Sequence, residues 1–148
     1  MPSVDAVLPL HLAPVGNRRE DYFARARRTR REIAAVLRAL DGFTPPPLPV
    51  TMLLVRTGWN KLDPDGLVSA VKAPVDALAR WLGVDDRDPR LHLHLAQAVT
   101  REKRLVSRGG LLRSEAAAAV RIVVRRWHSD DGDDPLRVLA VPPMKARP

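Results

Sequence analysis

The chain has 148 residues, 45% of them hydrophobic, which is enough for one compact domain with a real core. It has no cysteine, which excludes disulfides and thiolate metal ligands, no basic segment leading into an apolar run at its start, and no stretch near the roughly 20 apolar residues that span a bilayer; a cytoplasmic protein is the expectation. Lys and Arg number 25 against 17 Asp and Glu, a net charge of +8 that is mostly arginine, whose planar fork suits phosphate oxygens and favours a nucleic acid partner. A GC-rich genome enriches arginine too, so charge by itself leaves the partner open.

Residues 4–12 (VDAVLPLHL) predict an edge strand interrupted by Pro9. Residues 17–40 change to helical periodicity, with Tyr22, Phe23, Ala26, Ile33, Val36, Leu37 and Leu40 as the apolar stripe. Asn17 is the expected N-cap, with Glu20 completing a capping box, and Asp41-Gly42 is the stop. Arg18, Arg19, Arg25, Arg27, Arg28, Arg30 and Arg31 crowd the other faces with few balancing acids. Such a face suits a phosphate backbone, where each neutralised phosphate releases a counterion.

Residues 44–49 (TPPPLP) form a stiff connector to 50–57 (VTMLLVRT), a continuous apolar run that fits a buried central strand. Asp63-Pro64-Asp65-Gly66 is a type I turn signature leading into a helix striped by Leu67, Val71, Val75, Leu78 and Leu82. Pro74 inside it predicts a kink or a fresh start, and Gly83 ends it before the loop Asp85-Asp86-Arg87-Asp88-Pro89. Residues 91–99 (LHLHLAQAV) alternate as a strand, with His92 and His94 on one face; as a zinc pair they lack a third ligand. Residues 101–110 read as a basic hairpin loop carrying Arg101, Lys103, Arg104 and Arg108. Residues 116–124 form one further strand, and 128–148 an acidic turn and Pro-rich extension.

Several chemistries are excluded. There is no GxxxxGKS/T or GxGxxG phosphate loop, no cysteine nucleophile and no GxSxG turn. Neither acidic segment has a calcium-loop pattern. What remains is hard-cation chemistry on the carboxylates of Asp63, Asp65, Asp85 and Asp86. A helix over 66–82 is about 25 Å long, so its acidic ends meet only if the loop folds back, the helix breaks, or a second chain supplies one cluster. Structurally, Asp63 is a favoured turn residue and Asp65 the expected cap of the next helix, and Asp85 and Asp86 are ordinary loop acids.

The segment Asp63-Pro64-Asp65-Gly66-Leu67, then Lys72 and Asp76, then Gly83-Val84-Asp85-Asp86 resembles RusA-type Holliday junction resolvases. Their signature is an acid-x-acid-Asn-Leu turn, a helix with a Lys and an Asp, and a Gly-hydrophobic-Asp-Asp loop before a strand. The direct match covers about thirty residues, and the order of elements extends it over most of the chain. The resemblance implies an α+β fold, a small mixed sheet of about four strands with two main helices, in a nuclease domain over 1–127 that dimerises. It implies a magnesium-dependent endonuclease of DNA recombination and repair, with manganese as a substitute, that resolves four-way DNA junctions by paired cuts. Asp63, Asp65 and Asp86 would be the catalytic metal-binding acids with Asp85 adjacent, and Lys72 the catalytic lysine. The family often carries a lysine in the strand after the loop, near Gln97, for which Arg101 or Lys103 would substitute. Gly66 stands where the family has Asn, and the alternative is a catalytically weakened RusA-like DNA-binding protein.

Overall fold

A computed structural model of the chain describes residues 4–13 and 21–128. Arg18, Arg19, the capping pair Asn17 and Glu20, and the extension past His128 lie outside the described residues. The elements are β1 (Val4–Leu8), α1 (Tyr22–Leu40), β2 (Val50–Gly58), α2 (Pro64–Ala70), α3 (Lys72–Leu82), β3 (Leu91–Val99), β4 (Lys103–Arg108), β5 (Leu111–Ala116) and β6 (Ala119–Arg126). A mixed four-stranded sheet runs β1-β6-β2-β3, with β2 parallel to β3 and antiparallel to β6, and β1 antiparallel to β6. The fold is α+β.

The run 50–57 becomes β2, buried along its whole length. Alternation divides it between two faces. Met52 and Leu54 join Val120, Ile122 and Val124 of β6 in one core with Val36 and Leu40 of α1, Leu67 of α2, Leu78 of α3 and Val71 between those two helices. Leu53 and Val55 gather with Val123 and Ala96 in a smaller cluster on the opposite face. Arg56 is buried in the same strand, donating from Nε to the Leu12 carbonyl at 2.8 Å and from Nη1 to the Asn60 carbonyl at 2.9 Å. Burial lowers its pKa, because the ionised form loses water. It ties the chain after β1 to the loop that leads into the acidic turn.

Two expectations change, and the fresh start expected near Pro74 is found. Helix α1 starts at Tyr22, capped by Asp21, whose Oδ1 accepts from the Ala24 N–H at 2.7 Å. Tyr22 and Phe23 are 79% and 70% exposed, because α1 buries only Glu32, Val36 and Leu40, in the half that packs on α3 and β1. The helix after the acidic turn is two helices, with the break at Val71. Pro74 then falls in the first turn of α3, where its missing N–H has no intrahelical partner to lose. Finally, the strand expected over 116–124 is present as β6, while the expected hairpin loop over 101–110 is extended into paired strands. Gly109 and Gly110, both at positive φ, turn β4 back onto β5 in a separate two-stranded hairpin, and Ala117-Ala118 separates β5 from β6. Among the described residues no helix is long and apolar enough to cross a membrane.

Candidate functional site

The acidic turn is built where β2 leaves the sheet. Gln97 of β3 clasps the residue before it: the Leu62 N–H donates to Gln97 Oε1 at 2.9 Å, and Gln97 Nε2 donates to the Leu62 carbonyl at 2.7 Å. Gln97 is thereby committed to backbone. Asp63, and not the expected Asp65, is the N-cap of α2, its Oδ1 accepting from the Gly66 N–H at 2.7 Å, because the helix already starts at Pro64. A Cβ at Gly66 would stand 2.6 Å from that same Oδ1, so the close approach of the cap depends on glycine. Asp65, in the first turn of α2, lies on the wall of a cleft instead.

The second acidic segment follows Gly83, whose positive φ of 77° ends α3. Asp85 Oδ1 accepts from the Arg87 N–H at 2.9 Å, and that bond leads the causes holding the Asp85 carboxyl below its usual range. Asp88 accepts from the Arg90 N–H at 2.9 Å and pairs with the Arg90 guanidinium at 2.7 Å, which together push it down to about 2. Asp86, between them, lines the same cleft as Asp76 of α3, close enough for its charge to act on the Asp76 carboxyl. Burial and then the negative charge of Asp86 raise the Asp76 carboxyl, against the opposing pull of Lys72 and Arg80.

The result is a cleft of about 440 Å³ between the helices and β3, carrying Asp65, Ser69, Lys72, Asp76 and Asp86 against an apolar floor that includes Leu93 and Leu95. On the other side of Lys72 and Asp76 a second cleft of about 540 Å³ is walled by Arg25, Arg28, Thr29 and Glu32 of α1. Ser69, Lys72 and Asp76 border both. An acidic recess and a basic one thus share a ridge on α2 and α3.

Of the residues singled out in the sequence, Asp65, Asp86 and Lys72 come together. Asp63 and Asp85 do not line the cleft, and each uses a carboxylate oxygen on a local N–H. Arg25 and Arg28 reach the basic cleft, while Arg27, Arg30, Arg31 and Arg101 are exposed. Lys103 lies 5.4 Å above the Trp59 ring, Arg104 reaches toward the Pro9 carbonyl at 3.4 Å, and the Arg108 side chain lies outside the described residues. Asp76 is the residue that reading for ligands passes over. Its signal is spacing: Lys72 and Asp76 stand one helical turn apart and share a face.

Among the described residues no three His, Cys, Asp or Glu side chains are arranged to hold a metal. The chemistry of the cleft nonetheless suits magnesium, which accepts one or two carboxylates and keeps several waters. A zinc site on β3 is less well served. His92 stacks on Trp127 at 5.0 Å, and in register His92 and His94 pair with Thr51 and Leu53, on the face away from Leu93 and Leu95. Burial, and then the charge of His92, lower the His94 pKa. No protein-family model matches this sequence, and no curated protein matches it.

Proposed function

We propose that the protein is a magnesium-dependent endodeoxyribonuclease that cuts four-way DNA junctions by paired phosphodiester cleavage. The observation that carries this reading is the return of the 85–88 loop, which sets Asp86 beside Asp76 in a cleft that also holds Asp65 and Lys72. In it, Asp65 and Asp86 bind the ion and Asp76 orients Asp86 from the helix. Bound magnesium would supply orientation of the attacking water and neutralisation of charge on the scissile phosphate. Lys72, on the ridge, presents its ammonium to the negative charge that develops at that phosphate. Arg25 and Arg28 hold the phosphate backbone on the far side of the ridge, with Arg27, Arg30, Arg31 and Arg101 adding a salt-sensitive field. Paired cuts require two such sites, which a homodimer related by a two-fold axis supplies.

The second reading, a DNA-binding relative with weakened catalysis, is favoured by one observation: Asp63 is engaged as a helix cap. Nicking of a synthetic four-way junction with magnesium decides between them. The nuclease predicts magnesium-stimulated cuts and a loss of about 100-fold or more in Asp86→Asn with junction binding retained. Binding without any cleavage by the parent establishes the second reading, and an Asp86→Asn variant as fast as the parent removes the site assignment.

A further inference from the structure

The β4–β5 hairpin takes no part in either cleft, yet it carries the most exposed leucines of the described chain. Leu105, Leu111 and Leu112 are 71%, 64% and 72% exposed. Register pairs Leu105 with Ser114 and Ser107 with Leu112, so Leu105 and Leu112 are diagonal neighbours on one face, and Leu111 sits at the tip beside Gly110. A two-stranded hairpin is marginal in water and gains nothing from leucines held in solvent. A cluster of this kind marks a contact with something else.

Charge selects the partner. Lys103, Arg104 and Arg113 stand on the hairpin against Glu115, and the exposed Arg101 and Glu102 just before it cancel. A second copy docking hairpin to hairpin would bring like charges together, and an ordinary apolar protein groove would leave the cations unused. A polyanion with an apolar interior satisfies both features: DNA, with phosphates outside and stacked bases within. The hairpin is also rooted on the chain that leads into the acidic turn. Lys103 lies over Trp59, which opens the loop into Asp63, and Arg104 reaches the chain after β1.

We propose that the hairpin is an apolar wedge that enters DNA where the base stack is interrupted. Leu105, Leu111 and Leu112 would press against the terminal base pairs at a branch point while the basic residues hold the flanking phosphates. A branch point is the preferred target because the stacking that a wedge must break in continuous duplex is already lost there. The inference rests on the junction-nuclease reading and adds to it the source of branch selectivity, which neither cleft provides.

The test compares the parent with L105S/L111S/L112S, three substitutions of exposed residues, and with L105M/L111M/L112M, which keeps the apolar surface. Binding is measured in EDTA to a four-way junction with 2-aminopurine at the branch and to a linear duplex of equal length. The wedge predicts that the parent brightens 2-aminopurine on binding. The serine variant loses about tenfold in junction affinity and the brightening, while its duplex affinity and salt slope change by less than about twofold and the methionine variant behaves as the parent. Unchanged junction affinity in the serine variant overturns the wedge and leaves the nuclease reading standing. Equal losses on junction and duplex overturn it as well, and so does conversion of a dimer to a monomer in sedimentation, since a second copy would then cover the leucines. A parent that binds no DNA removes both readings together.

Discussion

The two acidic segments are alike in composition and unlike in what holds them. In the turn 63–66, Asp63 serves a helix cap and Asp65 faces the cleft; in the loop 85–88, Asp85 and Asp88 serve local N–H groups and Asp86 faces the cleft. Each segment uses its flanking acids to fix its own backbone and thereby aims one carboxylate. The difference lies in the anchoring. The turn is pinned from another strand by Gln97, whereas the loop is held by contacts among its own residues and Arg90. A short polar side chain that satisfies its neighbour's backbone is therefore no evidence against a site next to it; it is what makes the site rigid.

The anchoring difference is best broken at Gln97. Gln97→Ala removes both bonds to Leu62, whose side chain is buried, and leaves that residue's backbone groups without these partners. A loss of about 2 kcal/mol in denaturant unfolding is expected, with magnesium-stimulated cleavage falling alongside because the turn loses its register. No single side chain of the 85–88 loop has an equal role.

A smaller effect separates cap from ligand at Asp63. Asp63→Ala should cost about 1 kcal/mol, and Asp63→Asn, which still caps, close to nothing. If Asp63→Asn abolishes cleavage at full stability, Asp63 belongs to the metal site as the family resemblance implies. Gly66→Asn sharpens the same point. Its Cβ would crowd the capping oxygen, so a cost near that of losing the cap, about 1 kcal/mol, is expected. A gain of cleavage in that variant would show that the displaced Asp63 carboxylate had been missing from the site.

The smallest effect is on the loop side and depends on pH. Asp76 has a folded-state pKa above its unfolded one, so its contribution to stability is full below the unfolded value and is lost as pH rises through the folded value. Above that value the Asp76 carboxylate, desolvated and beside Asp86, opposes folding. Asp76→Asn should raise the midpoint of thermal unfolding by about 1–3 °C at pH 7, with the gain vanishing toward pH 4. Magnesium should raise the parent's midpoint and the variant's less.

Much of this was legible in the chain. The apolar run 50–57 could only be a central strand, the LHLH alternation fixed which faces β3 presents, and Asp-Pro-Asp-Gly announced a turn and a cap. These features depend on neighbours in sequence. The exposure of Tyr22 and Phe23 was hidden because helical periodicity reports a face and not how far along the helix the core extends. The segment 101–110 read as a hairpin loop, but the two-stranded sheet it forms with 111–116 was hidden because β4 and β5 alternate weakly and lie outside the main sheet.

Local chemistry in the sequence determined the elements, the excess of arginine and the presence of acids at both ends of a helical segment, since each follows from side-chain type and spacing. The tertiary structure alone decided which acids meet. Asp76 and Asp86 come together because Gly83 reverses the chain and the loop folds back onto α3, and Gln97 reaches Leu62 only because β3 runs parallel beside β2. Contacts between residues far apart along the chain depend on how packed elements are placed, and periodicity within one element carries no record of that placement.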